Sequence, residues 1–288
     1  MKRYLPLLLL LLLLAGCGKK HRFDYIDIAA SEKTFAELSA QFRSVPDTLP
    51  GGRRAFMLSI GKPVADILVF EGESGDPSQI KLPDIPDGYA CQTIGREELL
   101  KELRIKNGKL FTDGGRNAAL LYLQDPVMSV EVLCKIASLA EAGALIGGVK
   151  PVRTTDTLQA DLFHRTVERV WLSGNVMSGK TLKSVLAAAG VRRDLKTKKK
   201  GFEFQHRSLP NADIYYLKNG GDFSGKARLT FRVRGREPLL WNPDTGEITQ
   251  VGYKLKKRST KVTIKTVPGD DCFLVFGSFA DKPKRKVR

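Results

Sequence analysis

Apolar residues in this chain follow two different rhythms, and the change between them falls at Lys196–Lys200. Before it, short continuous apolar runs alternate with stretches of helical spacing. Val64–Phe70 (VADILVF) and Ala118–Leu123 (AALLYL) are runs of the first kind, each closed by turn residues, Glu71-Gly72 and Asp125-Pro126. Leu99, Leu100 and Leu103 share a helical face. So do Val130, Leu133, Ile136, Ala137 and Ala140 behind a candidate capping residue, Ser129. Ala144–Gly147 reads as a short strand, and Leu162–Trp171 and Leu182–Ala189 as helices. After the lysines the period is two. Ala227, Leu229, Phe231 and Val233 alternate with Arg228, Thr230 and Arg232, and Val262 and Ile264 with Lys261, Thr263 and Lys265. Cys272–Phe276 is a continuous apolar strand. Buried strands alternating with helices predict an α/β fold, an open, mostly parallel sheet with flanking helices. A small antiparallel β-sandwich is expected to follow it.

The N-terminus sets the compartment. Lys2 and Arg3 precede an apolar run from Leu7 to Leu14, then Ala15-Gly16-Cys17. A basic start, an apolar core and a small-residue cleavage site describe an export signal, and the run is too short to span a bilayer. Leu14-Ala15-Gly16-Cys17 resembles the bacterial lipobox, so Cys17 is expected to be lipidated and to become the new N-terminus. Gly18 follows it where inner-membrane retention is associated with Asp. The expectation is therefore a lipid-anchored protein of the bacterial cell envelope, in the outer membrane rather than the inner.

Five segments follow: a lipoprotein signal peptide at 1–16, a tether and lead-in segment at 17–55, an α/β domain at 56–195, a β-sandwich domain at 200–280, and a basic tail at 281–288. Within the second, Thr34–Phe42 predicts a short helix, with Phe35, Leu38 and Phe42 at helical spacing, and Pro46, Pro50, Gly51 and Gly52 break the chain after it.

Three cysteines remain beyond Cys17, and an odd number cannot pair off completely. Cys91, Cys134 and Cys272 sit among apolar neighbours and read as buried small hydrophobes. His21, His164 and His206 are scattered, so neither a metal site nor any cofactor is expected. Gly174–Thr181 (GNVMSGKT) satisfies the P-loop pattern. A phosphate cradle needs a strand before the loop, whereas Phe163–Leu172 reads as a helix. The match is read as accidental, with Ser178 or Thr181 capping a helix, and no nucleotide partner is expected. Asp66, Asp84, Asp87, Asp113 and Asp125 lie nearest the strand ends. They read as turn formers, with no pairing that would flank a sugar.

The 48 Lys and Arg against 31 Asp and Glu give a net charge of +17. Lys196–Lys200, Lys254–Arg258 and the terminal run favour anionic partners. Outside the cytoplasm, and with no nucleic-acid-binding module in view, polysaccharide or lipid headgroups fit better than nucleic acid.

Collinear stretches carry a resemblance. They include Gly61–Phe70 (GKPVADILVF), Lys81–Tyr89 (KLPDIPDGY), Lys106–Leu110 (KNGKL) and Met128–Lys150. His206-Arg207, Ala212–Tyr216 (ADIYY) and Leu240–Ile248 (LWNPDTGEI) continue the series. In that order, from about Phe56 to Phe276, they resemble the C-terminal part of the α-L-rhamnosidase-like glycoside hydrolases, family 106. The resemblance implies exported, calcium-dependent enzymes that release L-rhamnose from plant polysaccharides. It also places their acid and base on an (α/β)₈ barrel that precedes the segment resembling Gly61–Phe70. About forty residues separate Cys17 from that segment, whereas a barrel takes roughly 250. No catalytic residue is therefore expected here, and the chain is read as a truncated relative, inactive alone, binding carbohydrate or a partner. Two alternatives stay open: an accessory fragment of a hydrolase whose barrel is encoded separately, and a polyanion-binding lipoprotein.

Overall fold

The computed structural model describes residues 35–46, 52–73, 83–115 and 117–277. Cys17, the signal sequence expected before it and the basic tail lie outside the described residues. Two helices come first, α1 (Phe35–Ser44) and α2 (Gly52–Ser59). β1 (Lys62–Val64) and β2 (Ile67–Phe70) follow. Next come β3 (Cys91–Ile94), α3 (Arg96–Lys101), β4 (Arg104–Lys106), β5 (Lys109–Phe111) and β6 (Asn117–Ala118). Strands and helices then alternate through β7 (Leu120–Leu123), α4 (Val130–Glu141), β8 (Leu145–Gly148), α5 (Ala160–Trp171), β9 (Val176–Ser178) and α6 (Leu182–Ala188). The remaining elements are strands. The first five are β10 (Leu195–Lys196), β11 (Phe202–Ser208), β12 (Ala212–Asn219), β13 (Gly225–Phe231) and β14 (Glu237–Trp241). The last four are β15 (Ile248–Gln250), β16 (Gly252–Lys256), β17 (Ser259–Thr266) and β18 (Asp271–Gly277).

One lobe is built on a five-stranded parallel sheet in the order β3-β2-β7-β8-β9. Both faces are covered, so β2 is buried at all four positions. Leu68, Phe70, Leu121 and Ile146 pack toward α4 and α5, while Ile67, Val69 and Leu120 pack toward Leu182, Val185 and Leu186 of α6. Ser129 caps α4, its side chain accepting from the Val132 amide at 3.3 Å. The five apolar residues aligned on that helix in the sequence are all buried.

The other lobe is antiparallel. A six-stranded sheet, β1-β11-β12-β18-β14-β15, faces a four-stranded sheet, β10-β13-β17-β16. Tyr215, Leu217, Leu274 and Phe276 from the first meet Leu229, Phe231, Val262 and Ile264 from the second. On the outer side of the larger sheet, α1 lays Phe42 against Trp241 with ring centroids 4.9 Å apart. Arg53 of α2 is buried there, donating to the carbonyls of Phe42, Pro243 and Asp244. Arg54 forms a two-pronged pair with Asp271 at 2.6 and 2.7 Å, and the Tyr216 hydroxyl donates to the same carboxylate at 2.7 Å.

The expectation of an open, mostly parallel α/β fold is overturned. Of the four sheets among the described residues only one is parallel; the six-stranded, four-stranded and three-stranded sheets are antiparallel. Two apolar runs misled the reading. Val64–Phe70 is not one strand. Lys62–Val64 pairs antiparallel with His206–Ser208, and Ile67–Phe70 pairs parallel with Cys91–Ile94. Ala118–Leu123 divides likewise between β6, antiparallel to β5, and β7, parallel to β2. A continuous apolar run reports burial on both faces and carries no information about the direction of the partner strand.

Candidate functional site

The densest polar chemistry among the described residues lies where the lobes meet. Asp66 sits between β1 and β2 and is 1% exposed. One of its oxygens accepts from the Ala90 amide at 3.0 Å, and the other pairs with Arg232 at 2.6 Å. Arg232 follows β13 and also reaches Asp194 at 3.3 Å. Asp194, fully buried, accepts from the Tyr215 hydroxyl at 2.8 Å and contacts His206 Nδ1 at 2.7 Å. The other ring nitrogen, Nε2, lies 3.1 Å from Asp213, whose second oxygen accepts from Arg236 at 2.6 Å. The rings of Tyr215 and His206 stack with centroids 4.0 Å apart. Gly88 makes room for this. Its carbonyl accepts from the Asp194 and Leu195 amides, its φ is +83°, and a Cβ there would lie 1.9 Å from the Leu195 carbonyl oxygen.

Both imidazole nitrogens face a carboxylate, so both must donate, and His206 is an imidazolium. Three acids then face two guanidiniums and one imidazolium, and burial, helped by the nearby Asp194, holds the Asp66 carboxyl above its ordinary value despite Arg232. Burial opposes the charge on His206, but Asp194 and Asp213 outweigh it and hold the imidazole above its ordinary value. Burial would raise Asp194, yet His206, Arg232 and Tyr215 hold its carboxyl below the usual range. A raised histidine gives stability that is fully present below its unfolded value of about 6.5 and is lost as pH rises through the folded one. The depressed Asp194 acts in the opposite sense, its contribution being lost on acidification. The difference in urea midpoint between wild type and His206→Gln is therefore expected to be widest near pH 6 and to shrink as pH rises. A difference unchanged up to pH 9 would remove the imidazolium from this account.

The five aspartates named in the sequence do not converge. Asp66 enters the buried network, while Asp84 and Asp87 are exposed on the loop before β3. Asp113 pairs with Arg104 on the surface at 2.9 Å, and Asp125 caps its own turn by accepting from the Val127 amide. Where other carboxylates come together, a guanidinium holds them: Arg54 bridges Asp244 and Asp271, and Arg96 bridges Glu73 and Glu131. A general acid must keep a proton near neutral pH, and an arginine partner opposes that. Among the described residues no group of three or more His, Cys, Asp or Glu is placed to hold a metal ion.

The P-loop pattern takes a different shape here. Val176–Ser178 is the edge strand of the parallel sheet, paired with Ile146–Gly148, so these backbone groups face a strand and form no cradle. Thr181 caps α6, accepting from the Ser184 amide at 3.3 Å. Beside it, a depression of about 420 Å³ opens at the C-terminal ends of β7, β8 and β9, lined by Tyr122, Gly148, Val149, Lys150, Ser178, Gly179 and Lys180. The cysteines need one correction. Cys134 is exposed on α4, whereas Cys91 and Cys272 are half-buried with thiols pushed up to about 12, first by burial and then by nearby aspartates.

Asp194, Tyr215, Arg232 and Arg236 went unread as a group. The usable signal was Tyr215, a hydroxyl-bearing ring at a fully buried strand position, which calls for a polar partner.

The family model for alpha-L-rhamnosidase matches residues 33–255, and the chain belongs to that family. A protein of Formosa agariphila whose name is that of a beta-glucuronidase is 32% identical over 246 residues, covering 82% of this chain and 21% of its own length. The solved rhamnosidase from Novosphingobium sp. PP1Y superposes with a TM-score of 0.72 at 26% identity, over 82% of this chain and 24% of that one. The chain thus spans between a fifth and a quarter of the length of these relatives.

Proposed function

We propose that this chain is a lipid-anchored relative of the α-L-rhamnosidases in the bacterial cell envelope that binds carbohydrate without cleaving it. The observation that carries the reading is the state of its carboxylates. Those the fold gathers are clamped by Arg54, Arg96, Arg232 or Arg236, and Asp66 and Asp194 are buried beyond the reach of a sugar ring. Hydrolysis needs an acid and a second carboxylate roughly 5–9.5 Å apart across the scissile bond. The family match supports carbohydrate as the ligand class.

Purified protein is expected to turn over neither an aryl α-L-rhamnoside nor an aryl β-glucuronide above buffer, with or without calcium. Turnover abolished by Asp84→Asn, Asp87→Asn or Asp125→Asn would overturn the non-catalytic reading. Anchoring rests on the Leu14–Cys17 pattern. Each buried acyl methylene contributes about 0.8 kcal/mol, and two or more chains make attachment stable. Labelled palmitate is expected in wild-type protein and not in Cys17→Ser. Unlabelled wild-type protein would end the lipoprotein reading.

A further inference from the structure

The outer face of the four-stranded sheet is cationic throughout. Ala227, Leu229 and Phe231 on β13 and Thr260, Val262, Ile264 and Thr266 on β17 are buried, so the alternate side chains point to water. Those are Lys226, Arg228 and Thr230 on one strand and Lys261, Thr263 and Lys265 on the other. Register then places like charges face to face. Lys226 lies directly opposite Lys265, and Lys254 of β16 directly opposite Lys261. Thr230 stands between Lys261 and Lys196 of β10, so one row crossing all four strands reads Lys254, Lys261, Thr230, Lys196. The four strands contain no Asp or Glu, and none of these cations has an ion-pair partner among the described residues.

Adjacent strands are about 4.8 Å apart, and like charges directly opposite one another destabilise a sheet. Arg54, Arg96, Arg232 and Arg236 are each matched with acids; on this face the opposed lysines have no acid beside them among the described residues. We infer that the face is a docking surface for a linear anionic polysaccharide bearing carboxylates or sulfates, with Lys226, Arg228, Lys254, Lys261 and Lys265 as its main contacts. The inference rests on the carbohydrate-binding reading for the class of ligand, while the charge ladder supplies the anionic character. Two other polyanions fit less well. Tyr253 and Leu255 of β16 are exposed, but register sets them opposite the inward-facing Val262 and Thr260, on the other side of the strand from Lys254. The lysine side of β13, β16 and β17 therefore offers bases no ring to stack on and a bilayer no large apolar group.

The test uses the full chain and polygalacturonate. Wild type is expected to bind, with the logarithm of affinity falling linearly against the logarithm of salt concentration as counterions are released. Lys226→Thr/Lys261→Thr/Lys265→Thr places on the face a residue it already carries. This variant is expected to bind about tenfold more weakly with a shallower salt slope, while melting no lower than wild type. A control that removes three exposed charges elsewhere, Lys101→Gln/Lys109→Gln/Lys183→Gln, is expected to stay within about twofold of wild type. Equal losses in both variants would show a net-charge effect and overturn the inference. So would tighter binding to vesicles of phosphatidylglycerol and phosphatidylcholine than to polygalacturonate. Binding of neutral rhamnose oligosaccharides, equal in wild type and triple variant and without affinity for polygalacturonate, would sink this inference and leave the carbohydrate-binding reading standing.

Discussion

Arg232→Met is expected to cost the fold about 3–5 kcal/mol, because it leaves the buried Asp66 and Asp194 without their shared cation. Methionine keeps much of the side-chain volume, so the loss reports charge and hydrogen bonding rather than a cavity. The measurement is the urea midpoint at pH 7. Arg228, exposed on the cationic face, is the comparison; Arg228→Met is expected to change stability little or to raise it. Adding Asp66→Asn to Arg232→Met is expected to recover part of the loss, since the two groups are coupled through one contact. Equal effects at Arg232 and Arg228 would mean that the junction is held by packing alone.

The second large effect is expected at Phe231. The ring is fully buried between Tyr215, at 4.8 Å between centroids, and Phe276, at 5.1 Å. Truncation to alanine removes these contacts and leaves a cavity between the sheets, costing about 3–5 kcal/mol. Its neighbour Thr230 points to the outer face, and Thr230→Ala is expected to cost far less. The comparison is again by urea midpoint, and equal losses at the two positions would show that the strand is out of register.

What the sequence made legible and what it hid divide along a physical line. Periodicity reports which side of an element meets water. It therefore identified Leu229, Phe231 and Val233 as inward-facing and the helix carrying Phe163 as a helix; residue type added Ser129 as a cap and left Ser178 or Thr181 as another, of which Thr181 is the one used. It does not report which distant strand lies alongside. Val64–Phe70 therefore read as one element although its two ends enter different sheets. The junction was hidden for the same reason. Asp66, Asp194 and Arg232 meet across long stretches of chain, and each alone reads as an ordinary turn or strand residue. His206 was noticed as one of three scattered histidines and, with Asp213, within stretches that carried a family resemblance; nothing local indicated that a carboxylate stands on each side of the imidazole. The cationic face was half visible, as alternating lysines and arginines. Only strand register shows that they confront one another.

The short strand Lys62–Val64 sets a clock on biosynthesis. Its pairing with His206–Ser208, and the neighbouring bond from Arg207 to the Gly61 carbonyl, join residues as far as 146 positions apart. At translation rates of 5–20 residues per second, the strand waits roughly seven to thirty seconds for its partner to be made. During that wait the parallel sheet can close on residues already synthesised, whereas the six-stranded sheet cannot. A nascent chain stalled before His206 would present an unpaired strand beside a formed lobe, an edge open to other chains. Assembly of the six-stranded sheet in this sense waits on its later strands and draws back a segment made well before them.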